Sequence, residues 1–228
     1  MDDEQQIGAV IVAAGWSQRM GGVDKMLALL GGKPVLAWAV DVFQQCKLID
    51  RIVVVVSKQS LGRCQRLVAE RGWSKVTDVC VGGRRRQDSV AAGLSRLRHC
   101  QWVIIHDGAR PLVTEGLIEQ GLKVAGETGA AIAVVPVTDT IKVAGDDRVV
   151  QQTLPRGNLW AVQTPQVFRF DIITEAYHQV KAEVTDDASL VEQLDYKVKL
   201  YMGSYDNIKI TTPDDLALAE ILWQRRGK

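Results

Sequence analysis

Ile7-Gly8-Ala9-Val10-Ile11-Val12-Ala13 runs without a break into Ala14-Gly15-Trp16-Ser17-Gln18-Arg19-Met20-Gly21-Gly22-Val23-Asp24-Lys25, and this junction decides the fold. The first half is continuously rather than alternately apolar, as expected of a strand buried on both faces. Such strands belong to a parallel sheet covered by helices. Similar short β-branched runs recur at 52–56, 79–81, 102–106 and 130–135, separated by helical patterns at 35–46, 60–71, 88–97 and 114–128. The alternation predicts crossover units and hence an α/β fold, a three-layer αβα sandwich with a mostly parallel sheet.

After the fifth strand the rhythm stops. Residues 137–158 hold a β-branched stretch, a Gly145-Asp146-Asp147 turn and a second extended stretch at 149–154, too polar for a core element. They read as a protruding β-hairpin arm. Beyond it come Thr164-Pro165-Gln166-Val167-Phe168, a helix at about 171–181, the acidic Thr185-Asp186-Asp187-Ala188-Ser189 and a strand near 198–202. The last helix opens at Thr212-Pro213-Asp214-Asp215, where Thr212 can cap, Pro213 suits the first turn and the acids complement the helix dipole. At 228 residues the whole chain, 1–228, fits a single domain.

Composition narrows the function. An apolar fraction of 46% and a charged fraction of 24% are those of an ordinary globular protein. Twenty-eight Lys and Arg against 27 Asp and Glu leave a net charge of +1, which argues against nucleic acid and acidic membranes as partners. Cys46, Cys64, Cys80 and Cys100 have no CxxC spacing and read as buried thiols of a reducing compartment. The acidic start Met1-Asp2-Asp3-Glu4 argues against a secretory signal, and no apolar run approaches the roughly 18 residues of a membrane span. A cytoplasmic location is expected.

In open parallel sheets ligands bind beyond the carboxyl ends of the strands, so chemistry is sought in the segments that follow them. The first such segment carries a glycine-rich turn whose N–H groups can cradle phosphates, with Arg19 and Lys25 adding charge. The alternative is a turn with solvated cations. Neither G-x-x-x-x-G-K-[ST] nor G-x-G-x-x-G fits, which disfavours a P-loop kinase or a dinucleotide dehydrogenase. Asp107, in His106-Asp107-Gly108-Ala109-Arg110-Pro111, falls at the end of a strand, placed to hold Mg²⁺ through oxygen; the competing reading is a local salt bridge with Arg110. His106 reads as a satisfied histidine at the core edge. Gly82 and Gly83, followed by Arg86 and Ser89 at a helix start, suit recognition of a base edge or form a simple turn before a capped helix.

Taken in order, AAGWSQRM, GGRRRQDSV, HDGARP, PVTDTI, WAVQTPQVF, TDDAS and DNIKIT resemble the 2-C-methyl-D-erythritol 4-phosphate cytidylyltransferase family over nearly the whole chain. The resemblance implies a Rossmann-like nucleotidyltransferase fold and transfer of CMP from CTP to methylerythritol phosphate, with release of pyrophosphate. It implies Mg²⁺ or another divalent cation as cofactor, and a homodimer joined through the arm. Carried onto this sequence, Arg19, Lys25 and Lys209 resemble the catalytic cations. Ala13, Ala14, Gly15, Gly82, Gly83 and Ser89 resemble nucleotide-binding positions, and Asp107 the metal position. Asp107, Arg110, Thr140, Arg156 and Thr164 resemble the acceptor-binding set, with Arg156 on the arm that reaches the neighbouring subunit. Met26 and Arg84 depart from the family's commonest pattern. The competing functions are a related cytidylyltransferase acting on another alcohol phosphate, such as ribitol 5-phosphate, and a catalytically silent nucleotide-binding regulator.

Overall fold

The computed structural model describes residues 6–15, 26–180 and 182–226. The first half contains β1 (Ile7–Ala13), the short pair β2 (Leu29–Leu30) and β3 (Lys33–Pro34), α1 (Val35–Gln45), β4 (Arg51–Val56), α2 (Leu61–Arg71), β5 (Val76–Val81), α3 (Arg86–Leu94), β6 (Trp102–Asp107), α4 (Glu115–Thr128) and β7 (Ala130–Pro136). The second half adds β8 (Lys142–Ala144), β9 (Val150–Thr153), a 3-10 turn at Arg156–Asn158, β10 (Trp160–Arg169), α5 (Phe170–Gln179), α6 (Ala188–Glu192), β11 (Lys199–Met202) and α7 (Pro213–Arg226).

Seven strands form the central sheet in the order β11-β7-β10-β6-β1-β4-β5. All neighbours are parallel except β10, which runs antiparallel to both β6 and β7. Strand β1 shows why its sequence is apolar throughout. Ala9, Ile11 and Ala13 join the core with α1 and α4, whereas Val10 joins the core with α3, α5 and α6. Successive side chains point to opposite faces, so a strand covered on both sides needs apolar residues at every step. Phe43 of α1 is completely buried, which is worth about 1.5–3 kcal/mol.

The helix ends follow local chemistry. Thr114 caps α4 by accepting from the Leu117 N–H at 3.3 Å, and Gly129 closes it in the left-handed region at φ 87°. The expected three-layer α/β arrangement is present, as is the hairpin, whose strands β8 and β9 pair, among the described residues, with each other alone. All seven residues of β8 and β9 are exposed.

Strand β10 is where the structure goes beyond the sequence reading. Its TPQ stretch has the composition of a loop, and proline cannot donate to a ladder. The strand accommodates Pro165 at an irregularity, its register with β7 shifting between Val162 and Gln166. Helix α3 starts at Arg86 and ends at Leu94, earlier at both ends than expected. Of the helix expected at 171–181, residue Lys181 lies outside the described residues.

Candidate active site

Strand order reverses beside β1: the chain proceeds outward to β4 and β5, then returns to add β6 on the other side. Such a reversal opens a crevice at the carboxyl ends of the strands. A cavity of about 580 Å³ occupies that position, with Ala13, Ala14, Gly15, Gly82, Gly83 and Ser89 all in its wall. Gly82 is required there, because a Cβ would lie 2.5 Å from both Ala14 Cβ and Ser89 Oγ. Asp88 accepts the Arg85 N–H at 3.0 Å, and the Ser89 hydroxyl donates to the Arg85 carbonyl at 3.2 Å. The start of α3 is thereby fixed against the two glycines.

A second cavity of about 470 Å³ adjoins it, walled by Arg110, Thr164, Gln166 and Ser189 among others. Arg86, Asp107 and Lys209 line both. The partition is thus built of one carboxylate and two cations. Asp107 Oδ1 accepts from Arg86 Nε at 3.0 Å, Oδ2 lies 2.8 Å from Lys209 Nζ, and Arg110 Nε stands 3.8 Å from Oδ2.

The HDGARP and DNIK segments are held together by backbone as well as charge. Ile210 N–H donates to the Ala109 carbonyl at 2.9 Å, and Arg110 Nη1 donates to the Asn207 carbonyl at 2.7 Å. Asn207, fully buried, donates in turn to the Thr164 carbonyl at 2.8 Å. Lys209 is placed beside Asp107 by this seam.

Burial would push the Asp107 carboxyl up, but Arg86, Lys209 and Arg110 together hold it well below the usual carboxylate range. Burial alone would depress Arg86, yet the Asp187 and Asp107 charges raise it above its ordinary value. Arg110 is lowered by burial. His106, with no exposed surface, is lowered to about 4 by burial. Its Nε2 lies 3.2 Å from the Arg110 carbonyl, which can only accept, so Nε2 carries the proton. Nδ1, 3.0 Å from Thr164 Oγ1, is then the acceptor of the threonine hydroxyl, whose oxygen also accepts the Asp107 N–H at 3.0 Å. The histidine is satisfied and neutral, as the sequence suggested.

The structure therefore gathers Ala13, Ala14, Gly15, Gly82, Gly83, Ser89, Asp107, Arg110, Thr164 and Lys209 around two joined cavities. Arg19 and Lys25 lie outside the described residues, although Gly15 and Met26, which flank that segment, both line the larger cavity. Thr140 and Arg156 line neither cavity of their own chain. Both are exposed on the arm side, where Arg156 Nη1 donates to the Thr138 carbonyl at 2.7 Å. Asp107 and Arg110 approach each other, as the salt-bridge reading expects, and Asp107 also lines the larger cavity. Arg86, read with Ser89 as suited to a base edge, pairs with two carboxylates, Asp107 and Asp187, while lining the larger cavity. Asp187, Gln166 and Asn207 were missed as site-building residues; only the paired acids of TDDAS and the TPQ and DNIK motifs signalled them.

The model of the family described as 2-C-methyl-D-erythritol 4-phosphate cytidylyltransferase matches residues 7–225. The chain belongs to this cytidylyltransferase family. A cytidylyltransferase of the same description from Dehalococcoides mccartyi is 54% identical over 97% of both chains. A bifunctional IspD/IspF enzyme of Desulforudis audaxviator is 46% identical over 94% of this chain and 56% of its own length. Among solved structures, the 4-diphosphocytidyl-2C-methyl-D-erythritol synthase of Anaerococcus prevotii superposes with a TM-score of 0.85 at 31% identity, covering 97% of this chain and all of the other. The Thermus thermophilus 2-C-methyl-D-erythritol 4-phosphate cytidylyltransferase gives 0.78 at 32% identity, covering 94% and 98%. The cytidylyltransferase family thus accounts for the strand order and the cleft together.

Proposed function

We propose that this chain transfers CMP from CTP to 2-C-methyl-D-erythritol 4-phosphate, giving 4-diphosphocytidyl-2-C-methyl-D-erythritol and pyrophosphate in isoprenoid biosynthesis. The observation that carries this reading is the pair of adjoining cavities sharing Arg86, Asp107 and Lys209, in a chain of this family. One cavity suits a nucleotide and the other a small phosphorylated alcohol, with the reacting phosphates meeting at the partition.

The chemistry asks little of a base. A phosphate monoester is largely dianionic near neutral pH, so its oxygen can attack the α-phosphorus of CTP directly as the bond to pyrophosphate breaks. Positioning and charge neutralisation carry the reaction. Arg86 and Lys209 against Asp107 leave one net positive charge at the partition, suited to receiving an anion. Arg19 and Lys25 neutralise the triphosphate and the charge of the pentavalent transition state. Arg110 and Thr164 serve the acceptor. Because the Thr164 hydroxyl proton is given to His106, Thr164 contributes as a hydrogen-bond acceptor for the alcohol chain.

A divalent cation fits the donor chemistry. Among the described residues no group of three His, Cys, Asp or Glu could enclose a metal, and Asp107 is the carboxylate in the wall of the larger cavity. Mg²⁺ characteristically takes one or two carboxylates and fills its remaining positions with phosphate oxygens and water, so Asp107 is the protein group that would hold it. When bound, the ion supplies charge neutralisation on the phosphates.

The arm completes the proposal. An isolated two-stranded hairpin is at best marginally stable, and this one exposes Val143, Val149 and Val150. Exchange of arms in a symmetric homodimer covers these residues and brings Arg156 and Thr140 to the partner's acceptor cavity. Pyrophosphate release, measured with CTP and methylerythritol phosphate together and with each omitted, tests the activity. Release only with both supports it; none with both, or faster release with ribitol 5-phosphate, overturns it.

A further inference from the structure

Arg86 has a second partner that the transfer chemistry does not call for. Its Nη1 lies 2.8 Å from Oδ2 of Asp187, a carboxylate only 1% exposed, while its Nε holds Asp107 at 3.0 Å. Asp187 Oδ1 accepts the Tyr177 hydroxyl at 2.6 Å. Tyr177 belongs to α5 and Asp187 sits just before α6, so the line Tyr177–Asp187–Arg86–Asp107 runs from two helices on one face of the sheet to the end of β6. Burying a carboxylate is costly, and Asp187 is raised by burial against the pull of Arg86 and Tyr177. A hydrophobic residue would fill the same space without that cost. What the carboxylate contributes instead is direction: it orients the planar guanidinium so that one edge is always presented to Asp107.

That orientation matters because Asp107 has a competing partner. Lys209 and Asp107 are 2.8 Å apart, and both face the cavities that phosphates enter. An arriving phosphate would compete with Asp107 for Lys209, and Asp107 would then need a ligand that does not leave. We propose that Arg86 is a positioning residue of the transfer reaction, held by Asp187 and Tyr177 so that it fixes Asp107 at the partition while Lys209 engages phosphate. Rotation of Asp107 disturbs Arg110 in the acceptor cavity and Lys209 at the partition, whereas Gly82, Gly83 and Ser89 line the nucleotide cavity alone, at its base end.

The inference rests on the transferase reading. Wild-type activity tests that reading, and ratios of variant to wild type test the inference. Tyr177→Phe removes one hydroxyl from a residue that lines neither cavity; Arg86→Lys keeps the charge but cannot bridge two carboxylates. Steady-state kinetics with CTP and methylerythritol phosphate are measured on variants whose circular dichroism melts lie above the assay temperature. We expect kcat to fall about threefold or more in Tyr177→Phe and about thirtyfold or more in Arg86→Lys. The KM for methylerythritol phosphate rises about fivefold in Arg86→Lys, while that for CTP stays within about twofold. Partial unfolding cannot produce this split, since it changes neither KM. The double variant matches Arg86→Lys alone, because both lesions act through one line. Unchanged kcat in folded Tyr177→Phe, or a double variant that multiplies the two losses, overturns the proposal; should Arg86→Lys fail to fold, Tyr177→Phe alone decides.

Discussion

His106 sits between the Phe43 ring, 5.2 Å away by centroid, and the polar seam of Thr164 and Arg110. Its pKa of about 4, against an ordinary 6.5, links the site to acid stability. Between those values the unfolded chain binds a proton that the folded chain refuses, so this contribution is full above about pH 6.5 and declines as pH falls towards 4. Lowering the pH from 7.5 to 5.0 should cost about 2 kcal/mol from this residue alone. Denaturant unfolding at the two pH values, with an NMR titration of the ring, checks it; protonation of His106 near pH 6.5 in the native protein contradicts it. Asp107→Asn keeps the shape but removes the charge that Arg86 and Lys209 pair with, and a neutral amide is a poor magnesium ligand. Turnover should drop by about a hundredfold, and the Mg²⁺ titration midpoint should rise; an unchanged titration counts against Asp107 as the metal position. Position relative to strand ends made Asp107, Gly82 and Ser89 legible in the sequence. The roles of Asp187 and Tyr177 were not legible: the TDDAS motif marked the acids, but the Arg86 that Asp187 pairs with lies far off in the chain, and Tyr177 carries no local pattern.

At the scale of elements, the turn joining β5 to α3 shows how little freedom the nucleotide cavity has. Gly82→Ala places a methyl 2.5 Å from Ala14 Cβ and Ser89 Oγ, and backbone on both sides must shift. A loss of roughly 1–3 kcal/mol is expected, with a weakened KM for CTP and little change in that for the acceptor. Thermal melts and two-substrate kinetics test this, and a variant with normal CTP affinity removes Gly82 from the base site. The central parallel strands β1, β4 and β6 were readable because burial on two faces demands continuous apolarity, and α4 because Thr114 and Gly129 bracket it. Strand β10 was not, since Pro165 and the polar Gln163, Thr164 and Gln166, which line the acceptor cavity, interrupt its pattern.

For the whole molecule, the proposed exchange of arms makes a prediction about mixed dimers. If Arg156 serves the partner, mixing equal amounts of inactive Lys25→Ala and Arg156→Ala subunits leaves one site of each mixed dimer intact, restoring roughly a quarter of wild-type activity. No recovery, with subunit exchange confirmed by a tagged chain, places the arm back on its own subunit. The sheet has a further consequence, for synthesis on the ribosome. Because β10 alone joins β6 to β7, a nascent chain that has made β1, β4, β5 and β6 presents, besides the β5 edge that the finished sheet keeps, the open edge of β6, and β7 arrives with both of its edges open until β10 and β11 cover them. Open strand edges recruit other chains. At about 5–20 residues per second, the stretch from Asp107 to Arg169 takes roughly 3–12 s to emerge, a window in which chaperones and crowded polysomes compete for the unfinished sheet.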